Sequence, residues 1–125
     1  MHKGSVIILD TSAMVFSMRN RIDIFDVVRE RFPGHAILIS EGIIKELERF
    51  SRSKQRIGKY AKLLLMNIRR SDIKIDKDNG YVDSWILKAA SESQGIVCTN
   101  DIALKRKLEA NGIKVFSISR KGLLR

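Results

Sequence analysis

The chain is poor in cysteine, proline, histidine and aromatic residues, with one Cys, one Pro, two His, five Phe, two Tyr and one Trp among 125 residues. A lone Cys98, set in Ile96-Val97-Cys98-Thr99, makes no internal disulfide and reads as a small buried hydrophobe. With only His2 and His35 beside it, no zinc ligand set is complete. Scarce proline and 44% hydrophobic residues exclude a collagenous or low-complexity chain. Long apolar runs are also missing. Runs such as Val6 to Leu9 and Leu63 to Met66 fall far short of the roughly 18 residues that span a bilayer. The N-terminus lacks the apolar region of a secretory signal, so no membrane segment and a cytoplasmic location are expected.

Acidic residues are the other shortage. Against 24 Lys and Arg stand 14 Asp and Glu, a net charge of +10, which attracts polyanions through counterion release and makes nucleic acid the leading partner. A surplus of Lys and Arg with few glutamines also suits a thermophilic protein.

Short apolar runs alternate with helical patterns, the signature of an α/β domain with a mostly parallel sheet. Five strands are expected at Ser5 to Leu9, Ala36 to Ile39, Ile73 to Ile75, Ile96 to Thr99 and Lys114 to Ser117, β-branched as strands buried on both faces should be. Thr11 to Arg31 should hold two helices broken near Asn20, and Ser40 should cap a helix running to about Ser51. In Lys54 to Arg70 the residues Ile57, Tyr60, Ala61, Leu64, Leu65 and Ile68 form an amphipathic stripe. Leu63 and Met66 fall off it, as scattered surface residues or as a self-association face. Val82 to Ser93 and Asp101 to Asn111 complete the helices, the second closed by Gly112. A basic tail, 118–125, ends a single domain spanning 1–125.

Most acids sit on charged helix faces or in turns. Four are harder to dismiss. Asp10 follows the first strand at once and Asp101 follows the fourth, which puts both at the edge where parallel sheets place ligands. Either alone could be a helix cap. Glu46 falls on or beside the buried stripe of its helix. Asp83 does the same, with Ile86, Leu87 and Ala90 at i+3, i+4 and i+7 and Trp85, Lys88 and Glu92 on the opposite face. Carboxylates so placed need a partner, either a lysine or arginine or a shared cation. Gathered at one edge, four acids make an oxygen site suited to Mg²⁺ or Mn²⁺, which could lower the pKa of a water and neutralise a phosphodiester leaving oxygen.

These residues resemble the PIN-domain family of metal-dependent ribonucleases, related in fold to the 5′-nucleases. The resemblance rests on Val6-Ile7-Ile8-Leu9-Asp10-Thr11-Ser12, on Glu46, on Asp83 with Ala89-Ala90, and on Val97-Cys98-Thr99-Asn100-Asp101 followed by Leu104 and Leu108. It implies a three-layer α/β/α sandwich around a five-stranded sheet. It implies Asp10, Glu46, Asp83 and Asp101 as catalytic metal ligands, steadied by Thr11, Ser12, Thr99 and Asn100. Ala103 and Leu104 stand where some members carry a further acid, which puts a second ion in question. RNA would be held by Lys45, Arg49, Arg52, Lys54, Arg56, Lys59 and Lys62, with Lys105 and Arg106 nearer the acids.

The resemblance leaves open a toxin-type endonuclease with an antitoxin partner, an rRNA-processing enzyme, and a non-catalytic RNA-binding or ribosome-assembly module. A homodimer is a further possibility. An aspartyl phosphatase would need an acid at Ser12, an Asp-x-Ser-x-Ser adhesion site fails at Met14, and no Gly-rich phosphate loop is present.

Overall fold

The computed structural model describes residues 6–125. Ser5, assigned above to the first strand, lies outside the described residues, as does His2. Five strands and six helices follow in the order β1 (Val6–Leu9), α1 (Thr11–Arg19), α2 (Ile24–Arg31), β2 (Ala36–Ser40), α3 (Glu41–Ser51), α4 (Arg56–Arg70), β3 (Ile73–Asp76), α5 (Val82–Ser93), β4 (Ile96–Cys98), α6 (Ile102–Ala110) and β5 (Lys114–Phe116). The sheet order is β3-β2-β1-β4-β5, and each neighbouring pair is parallel.

This order carries the chain one way through β1, β2 and β3 and then back across to β4 and β5. With right-handed crossovers, α1 to α4 cover one face of the sheet and α5 and α6 the other. The reversal lies between β1 and β4, so the crevice of this doubly wound sheet opens at their C-terminal ends. There Leu9 pairs with Cys98, and the next residues on each strand, Asp10 and Thr99, flank the opening.

Central β1 is buried along its length, with Ile7, Ile8 and Leu9 fully enclosed. The edge strands are not. β3 exposes Lys74, Ile75 and Asp76, and β5 exposes Lys114, correcting the expectation of strands buried on both faces. An edge strand has neighbours on one side only. Trp85 is a second correction. It is 5% exposed and belongs to the core face of α5, while Asp83 is exposed.

Ser40 caps α3 by accepting the Ile43 N–H at 3.2 Å, as the Ser-Glu start of that helix predicts. The end of α1 is less ordinary. Ile22 N–H bonds Ser17 O and Arg21 N–H bonds Met18 O, the paired bonds of a Schellman cap. Its left-handed position is held by Arg21 at φ 59° where glycine is usual, a conformation costing about 1 kcal/mol or more for a side chain. The C-terminal residues fold back on the body: Ile118 bridges Leu124 and is 3% exposed.

Candidate active site

Asp10 stands at the N-cap position of α1 but makes no side-chain cap. Its carboxylate turns into the crevice, where the residue is 6% exposed. Ser12 and Thr99 each donate a hydroxyl to Oδ2 at 2.7 Å. What aims those hydroxyls is backbone. Asn100 N–H donates to Ser12 Oγ and Asp101 N–H to Thr99 Oγ1, each at 3.1 Å. With a lone pair of each oxygen so occupied, the hydroxyl proton is left for Asp10. The two N–H to hydroxyl to carboxylate relays tie the β4–α6 connection to the end of β1. Burial raises the Asp10 pKa above its ordinary value; the bonds from Thr99 and Ser12 oppose the shift, and the nearby Asp83 charge adds to it.

The other three acids reach the same cavity, of about 440 Å³, from three elements. Half-buried Glu46 comes from α3 and accepts the Thr11 hydroxyl on Oε1 at 2.6 Å, so adjacent residues of one turn secure two acids. Asp83 comes from the first turn of α5. The loop before it rests on α3: Gly42 N–H bonds Asp78 O, and a Cβ on Gly42 would lie 2.9 Å from Gly80 O. Asp101 caps α6, accepting the Leu104 N–H on Oδ1 at 3.0 Å. Of the two strand-end aspartates, one is therefore a cap and the other is not.

Asn100 lines the cavity, yet its amide is committed elsewhere. Nδ2 donates to Ile118 O at 3.0 Å and Oδ1 accepts the Ile118 N–H at 2.9 Å, clasping the chain beyond β5 to the site. Ser117 adds to the clasp, donating to Thr99 O at 2.8 Å.

The sequence-assigned cations lie outside the cavity. Lys45, Arg49, Arg52, Lys54, Arg56, Lys59 and Lys62 are exposed along α3, the following turn and α4, and Arg106 is exposed on α6. Lys105 directs its ammonium to Ser117 Oγ and Arg125 O, 3.4 Å from each. Among the described residues the cation that lines the cavity is Arg19, with Phe16, Phe50 and Ile57 beside it; Arg19 is not among the sequence-assigned residues. The signal was available: Ser12, Phe16 and Arg19 are spaced i, i+4, i+7, one face of α1.

Among the described residues the one ion pair is Arg29–Asp26 at 3.8 Å, so no lysine or arginine there neutralises any of the four acids. Asp10 is thus a buried carboxylate served by hydroxyls and lacking a counter-charge, and the surrounding donors are oxygens. That chemistry fits a hard divalent ion. No group of three or more Asp, Glu, His or Cys among the described residues is placed to hold a metal as it stands. Mg²⁺ tolerates such spacing, because it keeps several waters and takes few carboxylates directly.

The family model described as a PIN like domain matches residues 7–121. Ribonuclease VapC4 of Methanocaldococcus jannaschii is 32% identical over 121 residues, covering 92% of this chain and 91% of that one. Among solved structures, the PIN domain endonuclease Utp24 superposes with a TM-score of 0.73 at 22% identity, over 90% of this chain and 84% of that one. VapBC-1 from nontypeable Haemophilus influenzae gives 0.61 at 15% identity, over 88% and 96%.

Proposed function

This chain belongs to the PIN-like domain family, and from that premise we propose that it is a toxin-type endoribonuclease using Mg²⁺ or Mn²⁺ at Asp10, Glu46, Asp83 and Asp101. The observation that carries the reading is Asp10: a buried carboxylate, aimed by two hydroxyl relays, with no ion-pair partner among the described residues, facing a cavity that three other acids share. Asp10 stands where it could cap α1 as Asp101 caps α6 through Oδ1, yet it forgoes the cap and keeps its carboxylate in the cavity. The VapC4 relative is a ribonuclease by name, which supports RNA as substrate.

The bound ion would supply charge to stabilise the phosphodiester as it is cleaved and would lower the pKa of water. The protein's own part is to hold its carboxylates fixed. Ser12 and Thr99 donate to Asp10 only in line with their backbone-set orientation, and Thr11 orients Glu46, so little reorganisation is needed as charge develops. An antitoxin-type protein partner is part of the same proposal, supported by the fold shared with VapBC-1.

The test is cleavage of labelled single-stranded and structured RNAs in Mn²⁺, against EDTA and against Asp10→Asn. Metal-dependent cutting that the substitution removes is expected. RNA binding without cutting by any preparation would favour the non-catalytic module, which the open spacing of the acids also suits.

A further inference from the structure

The acid cavity shares lining residues with a second feature. A smaller concavity between α1 and the start of α4 shares Val15, Arg19 and Ile57 with the cavity. It shares Arg19, Arg56 and Tyr60 in turn with an adjoining groove of about 550 Å³. That groove is walled by Arg19, Arg21, Arg56 and Lys59, with Met18, Tyr60 and Leu63 between them and no acidic residue. None of the four cations has a carboxylate within ion-pair reach among the described residues.

We propose that this α1/α4 groove is the track for a single-stranded segment of RNA, delivering a phosphodiester past Arg19 into the acid cavity. The inference rests on the ribonuclease reading and adds to it the path of the substrate. Cationic walls around an apolar and aromatic floor are what a single strand requires: phosphates pair with the walls while unstacked bases lie on rings and aliphatic side chains. A cluster of carboxylates repels RNA, so attraction must come from cations beside it rather than within it. The seven basic residues of 45–62 thereby divide. Arg56 and Lys59 belong to the groove, whereas Lys45 and Arg49 project from α3, whose exposed face also carries Glu48, and line no part of this path.

Arg21 gives the groove a test free of folding artefacts. Its left-handed cap position is one that glycine fills without strain, so Arg21→Gly removes a charge without weakening the fold. Binding of labelled single-stranded RNA would be measured by fluorescence anisotropy across a salt series, in the Asp10→Asn background to prevent cutting. Arg21→Gly with Lys59→Ala should weaken binding about tenfold or more and reduce the salt slope by roughly 1.4, as two lost phosphate contacts on a single strand require. Its melting temperature should be unchanged or higher for Arg21→Gly alone. Lys45→Ala with Arg49→Ala should have little effect.

Unchanged affinity and slope in the groove variant, or loss confined to the α3 variant, would overturn the proposal. Cleavage by the otherwise native chain separates the two readings. If groove substitutions abolish binding while the native chain cuts nothing, the groove stands and the ribonuclease assignment falls. If the native chain cuts and the groove variant cuts with the same KM, the ribonuclease stands and the groove falls.

Discussion

Replacing Asp10 with asparagine should stabilise the fold while ending its chemistry. Asp10 is 6% exposed, and its carboxylate is unpaired by any described cation and compensated mainly by two hydroxyls at 2.7 Å. Hydrogen bonds to a charged group exceed neutral ones by about 1 kcal/mol each, and removing a carboxylate from water costs several kcal/mol. Asparagine keeps an oxygen for Ser12 and Thr99, and the shift of Asp10 above its ordinary pKa shows that desolvation outweighs the bonds. The net is about 1–3 kcal/mol in favour of Asn at pH 7.

For 125 residues each kcal/mol moves Tm by about 3–6 °C. The sign with pH follows from the raised pKa. Below the unfolded value of 3.8 both states hold the proton and the two proteins should melt alike. As pH rises past 3.8 the unfolded chain releases its proton first, so the native Asp protein loses ground until its own raised pKa is passed, and the gap then stays constant. Added Mn²⁺ should reverse the order, since a ligand at 1,000 times its Kd contributes about 4.1 kcal/mol to the protein that binds it. Thermal melts at pH 2.5 and 7, with and without MnCl₂ at the higher pH, read all of this. An Asn variant that melts several degrees lower at both pH values would refute the reasoning, because Asp10 would then be a structural anchor.

The relays make further demands. Thr99→Val removes the donor to Asp10 and the acceptor for Asp101 N–H, so it should cost about 1–3 kcal/mol in denaturant melts and tenfold or more in cleavage rate, while Thr99→Ser retains most of both. Asp101→Asn keeps a good helix cap for Leu104 N–H; a cap change of a few tenths of a kcal/mol should move Tm by only about 1–2 °C, with cleavage lost. Cys98 is fully buried, and burial, with Asp10 nearby, pushes its thiol up to about 12, so a thiol reagent should label it only after denaturant is added. Gly58→Ala should destabilise the chain by about 1–3 kcal/mol or more in a denaturant melt, because the new Cβ would collide with the Ser53 carbonyl in the α3–α4 turn.

What local sequence determined is extensive. Hydrophobic period, the Ser40 cap and Gly112 at φ 75° set the helices and strands, because each depends on residues within a turn or two. The four acids stood out for the same reason, as charges at strand ends or beside apolar stripes. Which of them is buried could not be read that way. Asp10 and Asp101 look alike after their strands, and only strand order, which brings Thr99 beside Asp10 and leaves Asp101 to cap α6, separates them. Trp85 was misjudged because the face of α5 that meets the sheet depends on a crossover from β3 past β2 and β1 to β4. The spacing of Ser12, Phe16 and Arg19 puts Arg19 on the site face of α1, but that it meets α4, more than thirty residues on, is set by helix packing. Tertiary structure decided these points because sheet order and helix packing set distances between residues that no local period relates, and a carboxylate's burial, partners and charge are properties of those distances.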